Sequence, residues 1–213
     1  MRARFAALAA LPLTACAAPA DADPDALMPC ETLFDFSLNR VQDAWRAQND
    51  TVMGGNSDGR VRFEGGAMVF GGELVTRGGG FVQATAPLSD GALRGATSLR
   101  VIGTSDGRPW RVRIETDQRV PRTEARGGEE GSAEITRSGA DYDGPRVAFS
   151  APIQGLDEGV GTADLAAPTA SMRGRPVRGA TWNPAEARSL GLILADGRDA
   201  PFSLRVERIE VCK

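Results

Sequence analysis

The sequence predicts an all-β domain, a sandwich or barrel of many short strands with one or two short helical turns. Three observations carry this. Apolar and polar residues alternate with period two along much of the chain, glycine-rich turns separate the alternating runs, and stretches with helical periodicity are scarce.

In chain order, Arg60–Glu64, Trp110–Glu115 and Ser203–Val211 alternate, so each reads as a strand with one buried face. Further strands are expected at Ala67–Phe70, Glu73–Thr76, Phe81–Ala86, Ser98–Ile102, Arg146–Ala151, Thr162–Leu165 and Ser189–Leu194. The near-continuous apolar run Leu190–Leu194 predicts a central strand covered on both faces. Glu64-Gly65-Gly66, Ser89-Asp90-Gly91 and Ala195-Asp196-Gly197 supply turns between such runs. Asn183-Pro184-Ala185-Glu186 combines an N-cap, a proline at N1 and an acid at N3, which predicts one turn of helix. A second is expected within Ser37–Ala47, with Leu38, Val41 and Trp45 on one side. Gln118–Asp143 is rich in glycine and charge without periodicity and reads as a long exposed loop or ragged hairpin.

The N-terminus reads as an address. In residues 1–15, Arg2 and Arg4 precede the apolar run Phe5–Leu13, which is too short to span a bilayer. Leu13-Thr14-Ala15-Cys16 then reads as a lipobox, with cleavage before Cys16 and lipidation there. An ordinary signal peptide cleaved among the alanines is the alternative. Residues 16–30 form a flexible acidic tether, and 31–213 form one folded domain long enough for its own core. This places the protein in the bacterial cell envelope as a periplasm-facing lipoprotein, attached to the membrane through its lipid. Resemblance to other lipoproteins favours the outer membrane slightly, because Ala17 follows Cys16 where inner-membrane retention often uses Asp. Once Cys16 is assigned to lipid, Cys30 and Cys212 remain near the two ends of the folded region. A disulfide between them is expected in an oxidising periplasm, with two inert buried thiols as the other reading.

There is no histidine, which excludes Ser-His-Asp and Cys-His machinery and the usual zinc ligand. Asp50, Asp106, Asp141 and Asp143 are the candidates for paired-carboxylate chemistry, yet all lie in turn-like contexts. Asp141 and Asp143 match no calcium-loop spacing. Gly54-Gly55, Gly65-Gly66 and Gly78-Gly79-Gly80 are followed by neither Gly-Lys-Ser/Thr nor a helix, so they do not read as phosphate loops. No catalytic residue, metal or cofactor is expected. Losing Arg2 and Arg4 moves the formal charge from −3 to −5, and nucleic acid is not an expected partner.

The most distinctive stretch is Asn49-Asp50-Thr51-Val52-Met53-Gly54-Gly55-Asn56-Ser57, which sets an apolar pair inside turn-forming residues. It follows Trp45 and precedes Gly78-Gly79-Gly80-Phe81, Asp106-Gly107-Arg108-Pro109-Trp110, Pro168-Thr169-Ala170-Ser171-Met172-Arg173-Gly174 and Asp196-Gly197-Arg198. From about Phe34 to Ile209, the order and spacing of these blocks resemble the complex I intermediate-associated protein family, that of the mitochondrial NADH:ubiquinone oxidoreductase assembly factor. The resemblance implies a galactose-binding-like jelly-roll β-sandwich without catalytic activity, and an assembly-factor-like role with a protein partner. A tryptophan expected before the Pro168 segment is missing, with Glu158-Gly159-Val160 near its place. A periplasm-facing lipoprotein also differs in compartment from a matrix factor, so the family's partner does not carry over.

Two expectations follow for these residues. Trp45, Val52, Met53, Gly54, Gly55, Gly80 and Phe81 form a motif core, with Val52 and Met53 inserted beneath Phe81. Asn49, Asp50, Asp106, Arg108, Trp110 and Arg173 form the wall of a binding surface, although Asn49 and Asp50 read equally well as buried backbone caps. The alternative function is a carbohydrate-binding module of the galactose-binding-like type, holding a glycan on Trp110 and Trp182.

Overall fold

The computed structural model describes residues 29–120, 133–134 and 144–213. The expected signal segment, nearly all of the expected tether, Asp141 and Asp143 lie outside these residues. The strands in chain order are β1 (Cys30–Asp35), β2 (Arg46–Asn49), β3 (Asp58–Glu64), β4 (Ala67–Leu74), β5 (Val82–Pro87), β6 (Ser98–Ser105) and β7 (Arg111–Arg119). They continue with β8 (Ala133–Glu134), β9 (Arg146–Pro152), β10 (Val160–Asp164), β11 (Thr169–Met172), β12 (Arg175–Arg178), β13 (Ala187–Leu194) and β14 (Ala200–Cys212). Among the described residues there is a single α-helix, α1 (Asn39–Gln42), with 3₁₀ turns at Asp50–Met53, Leu156–Glu158 and Pro184–Glu186. None of these helices is long and apolar enough to cross a membrane.

Two sheets form a β-sandwich. The first has the order β10-β6-β14-β4-β3, with β1 also paired to β14; the second runs β2-β5-β13-β7-β9-β11-β12-β8. Pairing is antiparallel except for β8, which runs parallel to β12. The long strand β14 organises the first sheet. Its first half pairs with β4, its second half with β1, and β6 lies along its other side. Phe202, Leu204 and Val206 point into the core, and so do Ile209 and Val211. The parity change between these sets is absorbed by a bulge between Val206 and Arg208.

Trp110, Val112 and Ile114 from β7 and its entry meet Leu190, Leu192 and Leu194 of β13 in the same buried cluster. Trp110 stands edge-on to Phe70 and Phe202, with ring centroids 5.9 and 5.8 Å away. Trp45 is wedged between Phe34 and Phe36 at 5.2 and 5.3 Å. A smaller cluster of Val120, Val147, Phe149, Met172 and Val177 lies beneath the far strands of the second sheet. β13 is central, between β5 and β7, but only partly as expected: on its outer face Gly191 is buried while Ile193 is half-buried.

The stretch expected as two strands at Ala67–Phe70 and Glu73–Thr76 is the single strand β4, with Gly71 and Gly72 inside it. Asn183 caps the 3₁₀ turn Pro184–Glu186 by accepting from the Ala185 amide. Helix within Ser37–Ala47 is limited to the four residues of α1. Most of the expected Gln118–Asp143 loop lies outside the described residues; within them β7 continues to Arg119 and Ala133–Glu134 is paired. Cys30 and Cys212 are register partners in β1 and β14 with Cα atoms 4.1 Å apart, and they form a disulfide.

Candidate functional site

Strand direction gathers most of the distinctive sequence blocks at one end of the sandwich. β2 ends there at Asn49, β5 starts at Val82, β6 ends at Ser105, β7 starts at Arg111, and the β13–β14 turn crosses it. Cys30, Cys212 and the β11–β12 hairpin occupy the opposite end.

Asp50 is the hub of this end. It opens the 3₁₀ turn Asp50–Met53, which Gly54 closes at φ 89°, a conformation that glycine adopts without a Cβ penalty. Its side chain is fully enclosed. Oδ1 accepts from the Ser57 amide at 3.0 Å, and Oδ2 accepts from the Ser57 hydroxyl at 2.8 Å and the Gly80 amide at 2.6 Å. The Asp50 amide donates to the Phe81 carbonyl at 3.2 Å, and its carbonyl accepts from the Gly55 amide at 3.1 Å. A Cβ at Gly55 would fall 2.2 Å from the Asp50 Cγ, and one at Gly79 would fall 2.3 Å from Oδ2. These glycines therefore let backbone close around a carboxylate. Burial raises the carboxyl's pKa, but donation by the Gly80 amide and both Ser57 donors outweighs it, so Asp50 titrates below its ordinary value.

The Asp106-Gly107-Arg108 and Asp196-Gly197-Arg198 blocks pair across the same end. The buried Arg108 guanidinium uses all five of its N–H donors. Nε and Nη2 reach the two Asp196 oxygens at 3.0 and 2.6 Å. Nη2 also donates to the Arg198 carbonyl at 2.8 Å, and Nη1 donates to the Ala200 and Pro201 carbonyls at 3.0 and 3.1 Å. Donation by Arg108, joined by the Arg198 amide and side chain, overcomes burial and lowers the Asp196 pKa to about 2. Asp106 accepts from the Arg108 amide, Trp110 Nε1 and the Ser203 amide at 3.1, 3.2 and 2.9 Å. Finally, the Thr76 amide donates to Asp199 at 2.7 Å, tying the loop that carries Gly78–Gly80 to the β13–β14 turn. The loops of this end thus form one connected polar frame.

This frame corrects the expected binding wall. Asp50, Arg108 and Trp110 are buried, at 0%, 7% and 1% exposure, because each completes an internal network or the core. Asp106 lies at the surface, but its carboxylate bonds inward. Asn49 is half-buried and donates through Nδ2 to the Gly59 carbonyl at 3.1 Å. Arg173 is exposed at the opposite end, where it and Gly174 (φ 49° and 79°) form the two-residue turn of the β11–β12 hairpin. Met53 is also corrected. It is 55% exposed, and the motif residue that the Gly55 and Gly79 backbones close around is Asp50. The Val52 side chain lies outside what the structure describes. Trp45 is buried and Phe81 half-buried, while Trp182 lies against Phe149 at 5.1 Å. Sequence reasoning missed Ser57, Gly79 and Asp196 as members of the frame. The recurrence of Asp-Gly-Arg at Asp106 and Asp196 was the available signal for the last.

Residues 34–206 match the model of the family described as complex I intermediate-associated protein 30. No curated protein matches the chain at a significant level. Among solved structures, it is similar to the family 11 carbohydrate-binding module of the cellulosomal cellulase Lic26A-Cel5E of Clostridium thermocellum. That alignment has a TM-score of 0.51 and 12% identity over 87% of this chain and 95% of the other. A family 11 module from Clostridium thermocellum in complex with a β-1,3-1,4-mixed-linked tetrasaccharide aligns with a TM-score of 0.47 and 13% identity, over 85% and 94%. The first likeness establishes the fold, a jelly-roll β-sandwich, and the fold alone.

Proposed function

The chain belongs to the complex I intermediate-associated protein 30 family, and on that premise we propose that it is a non-enzymatic binding protein of the assembly-factor kind. In this reading it is anchored in the cell envelope through lipidated Cys16, and it holds a protein partner. The observation that carries the reading is where the polar groups of the motif end point. Asp50, Asp106, Arg108 and Asp196 bond inward to backbone or to one another, which fixes the loops and leaves no acid–base pair among them facing a cleft. Loops held this rigidly suit a binding protein, because preorganisation lowers the ordering cost of association. The lipobox supports the anchor, and the Cys30–Cys212 disulfide fits an oxidising compartment such as the periplasm. Affinity isolation of the tagged chain from mildly solubilised membranes tests the proposal. A stoichiometric protein partner supports it, and nothing above background overturns it.

The glycan reading has less support. Trp110 is enclosed by Phe70 and Phe202, and one side of Trp182 is occupied by Phe149, so the two rings do not form a paired platform for sugar. A structural neighbour is a carbohydrate-binding module, which makes a glycan array the discriminating control. Flat binding eliminates the sugar reading, whereas a hit abolished by Trp182→Ala would displace the protein-partner proposal.

A further inference from the structure

Gly71 is less constrained from within than the glycines around it. At Gly72 and Gly103 a Cβ would fall 1.7 Å from the Asp58 carbonyl oxygen and 2.0 Å from that of Arg205, so close strand approach accounts for both. At Gly59 it would fall 2.8 Å from Asn49 Oδ1. At Gly71 it would meet one atom, the Phe202 carbonyl oxygen at 3.3 Å, a tight contact that a shift of a few tenths of an ångström in β14 would relieve, and the backbone there lies outside the left-handed region. Glycine weakens a strand, and besides easing tight packing it marks places where a ligand or another backbone comes close.

Gly71 sits on β4 in register with Arg60 of β3 and Ser203 of β14. A cleft of about 450 Å³ opens there, and its lining includes Gly71, Gly72, Ser203, Arg60, Arg62 and one acid, Asp58. Arg60 is held by Asp58 at 2.8 Å. Arg62, exposed and on the same face of β3, makes no ion pair or hydrogen bond among the described residues. Residues two apart on a strand are spaced by about 7 Å, which is also the same-side repeat of any extended peptide laid alongside.

We propose that this cleft receives an extended, carboxylate-bearing peptide segment of the protein partner, its backbone over Gly71 and its carboxylate on Arg62. The proposal rests on the protein-partner reading and names the chemistry of that partner. Arg62 supplies selectivity for the acidic side chain more than bulk affinity. The open floor at Gly71 lets the segment approach the sheet.

The test titrates the full chain carrying Cys16→Ser with octapeptides alternating Glu and Val, matched peptides with Gln for Glu, and an oligogalacturonate. The Glu peptides are expected to bind at least tenfold more tightly than the Gln peptides, and Arg62→Gln removes that preference. Gly71→Val fills the cleft with a strand-favouring side chain; it is expected to weaken binding at least tenfold while the domain stays folded by circular dichroism. Gly71→Ala gives a milder version of the same readout if the valine variant does not fold. Equal binding of Glu and Gln peptides, full binding by the Gly71 variant, or preference for oligogalacturonate overturns the proposal. The two levels separate in membranes: a partner retained by both the Gly71 and Arg62 variants sinks the cleft alone, whereas no partner for the wild type sinks the reading beneath it.

Discussion

Replacing Asp50 with asparagine keeps the shape of a fully buried side chain and removes its charge. One carboxylate oxygen now holds the Ser57 amide, and the other holds the Ser57 hydroxyl and the Gly80 amide. The serine hydroxyl can reverse and accept from an amide NH₂, but a backbone N–H cannot. Whichever way the new amide turns, the N–H of either Gly80 or Ser57 faces another donor. A stranded buried donor costs about 1–3 kcal/mol, and weakening the remaining charge-assisted bonds adds roughly 1 kcal/mol. Asp50→Asn is therefore expected to lose about 2–4 kcal/mol, read by urea unfolding at pH 7 with the disulfide intact. The pH dependence follows from the lowered pKa. Stabilisation by the carboxylate is fully present above the unfolded value of 3.8 and is lost as pH falls through the folded value, so the deficit of the variant narrows in acid. A variant within about 0.5 kcal/mol of wild type at pH 7 would refute the frame, since that is the range of ordinary surface substitutions. So would a deficit that does not change between neutral and acid pH.

The other predictions concern the same frame and the staple. Arg108→Lys keeps the charge but loses the two-oxygen grip on Asp196 and most of its three carbonyl bonds. The expected loss is about 3 kcal/mol, measured as a fall in urea midpoint. The Asp196 contribution is present above pH 3.8 and lost as pH falls through about 2, so acid unfolding followed by tryptophan fluorescence should steepen in that window and flatten in Asp196→Asn. Replacing Cys30 and Cys212 together by serine opens a link across 182 residues and is expected to cost up to about 5 kcal/mol by calorimetry. Met53→Ser should change thermal stability by less than about 0.5 kcal/mol, because the side chain is more than half exposed.

The strands that carry the core were legible because their alternation is strong, as in Trp110-Arg111-Val112-Arg113-Ile114-Glu115. That alternation also held the correct place of Trp110. It shares parity with the buried Val112 and Ile114, which argues against its place in the expected binding wall. Strands β2, β11 and β12 are four residues each and β1 lacks clean alternation, so none of them stands out in the sequence, and their pairing is set by the strands beside them. Gly71-Gly72 split β4 in two on paper, since local propensity disfavours glycine in strands that long-range pairing nevertheless maintains. The cysteine pair was legible from its position near both ends of the domain. The Arg108–Asp196 contact was not, because it joins residues 88 positions apart and alternation carries no information about which turns meet. Asp50 stays ambiguous in the sequence for a chemical reason: an acid among glycines fits a surface turn and a buried backbone cap alike, and only the three inward-facing donors decide for the cap.

The most direct measurement of the central claim is the native mass of the chain in membranes solubilised with a mild detergent, compared with the Cys16→Ser variant. The account predicts that the wild type fractionates with membranes and migrates as a single discrete species well above the mass of its own chain. Cys16→Ser should appear in the soluble fraction, with its domain still folded and disulfide-bonded. A wild-type chain that is already soluble, or that leaves the membrane only as a monomer at its own mass, would contradict the account.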